Sequence, residues 1–193
     1  GLDVGGDGCD ELCQVESTGP DDICPGAEVA LAGSGEEPRT ASVSGSTTSK
    51  INHYGSGCGG SGEDAVYVVT PDVTGLLTAT VVSHYDAVLY ARSACDDPVS
   101  ELDCDDISAS GGGDQISFQV AAQTPYFIFV DGYGALDGNF TLDIVVATAF
   151  CGNGLAESPE QCDDGAMVDG DGCSATCSIE PGGVADNCPG NPF

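Results

Sequence analysis

The chain has 193 residues, with 32 Asp and Glu against 3 Lys and Arg, a formal net charge of −29, and 11 cysteines. An acidic excess of this size repels nucleic acid and anionic membrane surfaces and attracts cations, and a 40% hydrophobic fraction laid out in ordered runs excludes a disordered acidic tail. Cysteines in such number beside two histidines place the chain in an oxidising compartment, their mostly long spacings favour disulfides over zinc, and no run approaches the roughly 18 apolar residues of a membrane span.

The first element in chain order is a cysteine-rich segment, residues 1–16 (GLDVGGDGCDELCQVE), which recurs at residues 165–180 (GAMVDGDGCSATCSIE). Cys9, Cys13 and Cys24 map onto Cys173, Cys177 and Cys188 at one constant offset of 164, and Asp22, Pro25 and Gly26 fall on Asp186, Pro189 and Gly190. This marks a repeating unit of about 164 residues, of which the chain carries one copy and the start of the next. Eight cysteines, Cys24, Cys58, Cys95, Cys104, Cys151, Cys162, Cys173 and Cys177, make an even set for four bridges. Cys9, Cys13 and Cys188 lie in the overlapping ends and call for partners in neighbouring units. No secretory signal stands at Gly1, so one has been removed or the chain is a piece of something longer: a window on a tandem polypeptide, or a subunit whose ends meet their partners in neighbouring subunits. The expected organisation is the closing half of a cysteine-rich repeat with a linker (1–21), a β domain (22–149), a cysteine-rich repeat (150–180) and the beginning of the next unit (181–193).

After the turn-rich linker STGPDD come short runs rich in Val, Ile, Thr, Tyr and Phe, separated by Gly, Pro, Asp and Ser. They predict strands at 28–31, 40–51, 65–70, 76–82, 87–92, 115–121, 126–130 and 139–146. QISFQVA alternates cleanly and FTLDIVV in part, as half-buried strands do, and no stretch keeps helical periodicity over three turns. About eight strands without intervening helices imply an all-β fold, an antiparallel β-sandwich burying Val66, Val68, Leu89, Phe118, Val120, Phe127, Phe129 and Phe140. Cys95 and Cys104 flank DDPVSELD, so a short bridged loop is expected there, which leaves Cys24 to pair with Cys58.

Across residues 22–147, Cys24 followed by CGGSGEDAVYVVTP, HYDAVLYARSAC, ELDCDD, PYFIFVDGYG and GNFTLDI resembles the bacterial pre-peptidase C-terminal domain. The resemblance implies a jelly-roll-like sandwich that serves secreted and surface proteins as a binding or spacing module, with no activity of its own. The next segment, with CGNG, EQCDDG, GDGCSATC and a following IE, resembles the cysteine-rich repeat of myxobacterial and related surface proteins. It is too short to hold an apolar core, so bridges must supply most of its stability, and its four cysteines allow three pairings among which the sequence does not choose.

Two acidic clusters are candidate calcium sites. Asp96, Asp97, Asp103, Asp105 and Asp106 surround the Cys95 and Cys104 loop, with Asp131 and Asp86 placed to join them. Calcium takes six to eight oxygens, which loops at one end of a sandwich can supply; the competing role is turn chemistry, since Asp favours caps and Asx-turns. The second cluster is Asp163, Asp164, Asp169 and Asp171, with Asp7 in the earlier copy; it lacks the twelfth-position Glu and flanking helices of an EF-hand, leaving a disulfide-framed calcium loop. Gly5 stands where the later copy has Asp169. No catalytic motif surrounds His53 or His84, and Gly-x-Ser-x-Gly and phosphate-loop signatures are absent. The sequence therefore reads as a non-enzymatic, extracellular or cell-surface bacterial protein: a repeat unit of a stalk, fibre or filament, joined head-to-tail to copies of itself and stiffened by disulfides and Ca2+. The alternative is an adhesive module for glycan or matrix, against which the lack of Trp weighs modestly.

Overall fold

The computed structural model describes residues 19–35, 37–108, 113–148, 151–152 and 160–180. Nine strands form two sheets: β1 (Ala27–Val29), β2 (Arg39–Ser46), β3 (Ala65–Val69), β4 (Gly75–Ser83), β5 (Ala87–Arg92), β6 (Glu101–Asp105), β7 (Gly113–Val120), β8 (Tyr126–Gly132) and β9 (Asn139–Thr148). Their order is β1-β3-β8-β5-β6 in one sheet and β2-β9-β4-β7 in the other. All pairs are antiparallel except β1 with β3. From β2 onward this interleaving is the jelly-roll order, with β1 added at the edge. The all-β sandwich is as the sequence reads, with three differences. β6 was not expected, because ELDCD carries little β-forming signal. β2 stops at Ser46, not at Ile51, because a turn closed by Lys50 N–H to Thr47 O carries the chain out of its sheet. The one parallel pair departs from a fully antiparallel arrangement.

The four-stranded sheet is buried on one face only. β7 alternates exposed and buried without a break, and Leu77, Ile116, Phe118, Leu142, Ile144 and Val146 point into the core. The central strands β3, β8 and β5 of the five-stranded sheet are buried on both faces, and every residue of β5 is buried. Its inner face supplies Tyr67, Leu89, Ile128 and Val130 to the main core. Its outer face carries Val66, Val88, Tyr90 and Phe129 in a second cluster, packed by Tyr54, Phe127 and the cysteines Cys24, Cys58, Cys95 and Cys104. Tyr90 stacks on Phe129 with ring centroids 4.7 Å apart. Tyr54 meets Phe129 edge-on at 5.2 Å, an arrangement that adds to the burial of the rings. Val68 and Phe127, expected in the core, are only half-buried.

The second cluster exists because the β2–β3 connection, residues 47–64, crosses the outer face and is pinned there. Cys24 pairs with Cys95 and Cys58 with Cys104, not Cys95 with Cys104 and Cys24 with Cys58. The expectation failed because it paired cysteines close in sequence, whereas sheet order brings the entry segment to the β5–β6 turn and the 47–64 segment to β6. The observed separations are 71 and 46 residues, and the two loops interlock. In the chain-entropy account each closure stabilises by about 4 kcal/mol. In the cysteine-rich segment Cys151 pairs with Cys177 and Cys162 with Cys173.

The two sheets are also joined along one side by carboxylates. β6 and β7 are edge strands of different sheets. Asp103 accepts the Ser117 amide and Asp105 the Gln115 amide, each at 2.8 Å. In return Asp114 on β7 accepts the amides of Ile107 and Ser108. Strand period 2 puts Asp103 and Asp105 on one face of β6, matching the period of the open amides on β7. These acids thus occupy an edge that would otherwise invite pairing with another chain.

Two outcomes are expected. Peptide mapping without reduction returns Cys24–Cys95 and Cys58–Cys104 fragments, and replacing Cys24 and Cys95 together by Ser costs on the order of 4 kcal/mol in urea unfolding. Asp103→Ala with Asp105→Ala lowers stability by roughly 1 kcal/mol per lost bond, and light scattering shows increased self-association.

Candidate functional site

Alternation in β3 places Asp64, just before the strand, on the same outer face as Val66. The register pairs Ala65 with Val130, so the next pair sets Asp64 opposite Asp131. On its other side Asp131 lies opposite Val88. Asp105 faces Leu89, so Asp106 continues the row beyond Val88. Asp106, Val88, Asp131 and Asp64 thus cross the outer face in line, beneath the pinned connection.

Asp64 and Asp131 both have 0% exposure. Asp64 Oδ2 accepts the amides of His53 at 2.8 Å and Tyr54 at 3.0 Å. Asp131 Oδ1 accepts the Gly62 amide at 3.2 Å. Their other oxygens, Asp64 Oδ1 and Asp131 Oδ2, are buried without a hydrogen-bond partner, as is the Tyr90 hydroxyl. Burial, reinforced by the Asp64 charge, pushes Asp131 up to about 8. Burial pushes Asp64 up to about 6, with the Asp22 charge adding to it. Asp106, half-buried at the end of the row, is raised by desolvation and by the charges of Asp86, Asp114 and Asp105. Burial, then Asp131 and Asp64, also raises the Tyr90 hydroxyl.

The first predicted cluster is divided by the sheet. Asp131 and Asp106 lie on the outer face, while Asp103 and Asp105 point the other way and hold β7. Asp86 lies at the β4–β5 turn, where its carbonyl accepts the Tyr133 amide. Asp97 caps the 3-10 turn Pro98–Ser100, and Asp96 is exposed. Asp64 was not among the candidates, although GEDAVYVV puts it in phase with Val66; its importance depends on a cross-strand neighbour that sequence does not reveal.

In the second cluster the acids act on nearby backbone. Asp163 accepts the Gly152 and Gly165 amides, Asp164 the Ala166 amide and Asp169 the Ala175 amide; Asp171 is exposed, and Asp7 lies outside the described residues. Among the described residues, one trio of potential ligand atoms lies within 4.8 Å of one another, from Glu160, Asp163 and Cys177. The Cys177 sulfur is committed to a disulfide, which removes the thiolate a metal would need. His84 is exposed at the β4–β5 turn.

No protein-family model and no curated protein matches the chain. Among solved structures, it is similar to the pre-peptidase C-terminal domain of a collagenase from Bacillus anthracis, at 15% identity over 61% of this chain and 92% of that one, with a TM-score of 0.38. It is also similar to PliG, a periplasmic inhibitor of g-type lysozyme from Aeromonas hydrophila, at 12% identity over 62% and 94%, with a TM-score of 0.37. A third is the K3 cleaved adhesin domain of Lys-gingipain from Porphyromonas gingivalis, at 20% identity over 56% and 74%, with a TM-score of 0.33. Among the described residues no helix is long and apolar enough to cross a membrane.

The raised acids fix the sign of a pH effect. A carboxyl that holds its proton more tightly in the fold than in the open chain favours the fold at low pH. That advantage falls away between the open-chain value near 4 and the folded value. In chelator, Asp131→Asn is therefore expected to gain stability relative to the parent as pH rises from about 5 to about 8, as read by thermal melts.

Proposed function

We propose that this chain is a repeat unit of an extracellular bacterial stalk, fibre or filament, without catalytic activity, in which sandwiches alternate with cysteine-rich connectors. The observation that carries this is the cysteine register. The eight cysteines from Cys24 to Cys177 pair among themselves in four bridges. Cys9, Cys13 and Cys188 repeat the positions of Cys173, Cys177 and Cys24 at the offset of 164. Applied to those copies, the same pairing would send Cys9 and Cys13 to the equivalents of Cys162 and Cys151 in a preceding unit, and Cys188 to the equivalent of Cys95 in a following one. Four disulfides suit an oxidising compartment outside the cytosol. Calcium, drawn by the acidic surface, would stiffen the string further.

One feature favours an adhesive module as a second reading. Between β1 and β2, each with one unpaired edge, lies a groove of about 790 Å³ lined by Ala27, Val29, Ala41, Val43, Tyr67 and Ile144. An extended ligand could add a strand there.

Electron micrographs of the native material are expected to show rods of regular repeat that lose their regularity on reduction. Compact single particles indifferent to reductant, with micromolar binding to matrix or glycan, would replace the first reading by the second.

A further inference from the structure

The outer face of the four-stranded sheet differs in charge from the rest of the chain. Register places Ser42, Asp143, Thr80 and Gln115 side by side in one row, and Thr40, Val145, Thr78 and Ser117 in the next. Among the described residues Asp143 is the one charged side chain pointing outward from β2, β9, β4 and β7, in a chain with 32 Asp and Glu. Leu76, Val82 and Val145 are exposed on the same face.

Its polar side chains are short and partly satisfy one another. Thr78 Oγ1 and Ser117 Oγ lie 3.0 Å apart, and Gln115 Nε2 donates to Thr80 Oγ1 at 3.0 Å. Such a face gives up water at less cost than one of free carboxylates, and its short side chains lose little rotamer freedom on contact. Depletion of charge is also the compositional mark of an interface core.

Charge selects what can dock there. Arg39 is tied to Asp72 and Lys50 to Asp21, and Arg92 is buried and donates to the carbonyls of Cys95 and Gly55. A second copy therefore has no spare Lys or Arg to offer an acidic surface. At a formal net charge of −29, two copies repel over most approaches. Face to face on this sheet, the fewest like charges meet. A cationic partner would choose the acidic sides instead.

We propose that the outer face of the four-stranded sheet pairs with the same face of a second copy of this chain, about a two-fold axis. Side-by-side bundling of whole strings by many such weak pairs rests on the repeat reading above; the pairing of two separate chains does not. Its failure leaves the repeat architecture standing, because that architecture depends on the cysteines.

The test is sedimentation equilibrium of the folded chain after alkylation of Cys9, Cys13 and Cys188, so that no bridge joins two copies. A reversible dimer is expected, tightening as NaCl rises from about 0.05 M to about 0.5 M and shortens the reach of the net charge. Val145→Glu and Thr80→Glu, at solvent-facing positions, each raise the dissociation constant roughly tenfold or more. Asp143→Asn lowers it severalfold. Val99→Glu, exposed on the Pro98–Ser100 turn, changes it little, and thermal melts check that every variant is folded. The proposal is overturned by a chain that stays monomeric at millimolar concentration in high salt, by a dimer that Val145→Glu and Thr80→Glu leave intact, or by one that dissociates as salt rises. A monomer that binds a neutral polysaccharide, and loses it in Val145→Glu, also overturns it and gives the face to a glycan.

Discussion

The Cys58–Cys104 disulfide holds residues 47–64 against the outer face of the five-stranded sheet, beside the Cys24–Cys95 bridge that pins the entry segment, and most of what distinguishes this molecule follows from that covering. A sandwich sheet ordinarily leaves its outer face to water and alternates accordingly. Here β5 is buried at every position and β8 at all but one. A second apolar cluster forms outside the sandwich proper, with Tyr90 and Phe129 at its centre. The covering segment has no regular secondary structure of its own. It is held by covalent closure and by polar contacts such as Tyr54 hydroxyl to the Cys24 amide and Arg92 to the Gly55 carbonyl.

The same covering turns ordinary sheet neighbours into a charged site. Cross-strand pairs are the unit of sheet stability, and like charges opposite each other oppose it. On an open face water would screen Asp64 from Asp131. Beneath the 47–64 segment both are stripped of water, and that desolvation, joined by the Asp64 charge at Asp131 and by the Asp22 charge at Asp64, is why both carboxyls hold their protons so tightly. The acids on the other side of β6 meet the opposite fate. Asp103 and Asp105 lie at an open side and serve as acceptors where two sheet edges approach. Asp105 and Asp106, adjacent in sequence, thus do different work because successive strand residues face opposite ways.

Sequence revealed the sandwich because its strands announce themselves through β-branched and aromatic runs cut by Gly, Pro and Asp. Residues 87–92 matched their strand from end to end. It missed β6, whose place in the sheet comes from the neighbouring β5 and from the Cys104 bridge, not from its own side chains. The cysteine count foretold four bridges, but the partners depended on sheet order, which composition does not encode. The acidic clusters were visible as clusters. Which carboxylate caps a turn, which holds an edge and which is buried beside another depended on facing and register, so Asp64 went unnoticed while Asp103 and Asp105 looked like ligands.

The placement of the three basic residues has a consequence for resistance to digestion. Proteases that cut after Lys or Arg need the side chain to enter a pocket and the flanking backbone to extend. Arg39 and Arg92 are 4% and 2% exposed, and the Lys50 side chain lies folded onto Asp21. Such an enzyme meets no ready bond at these residues on the folded surface, so digestion by that class requires the fold to open first.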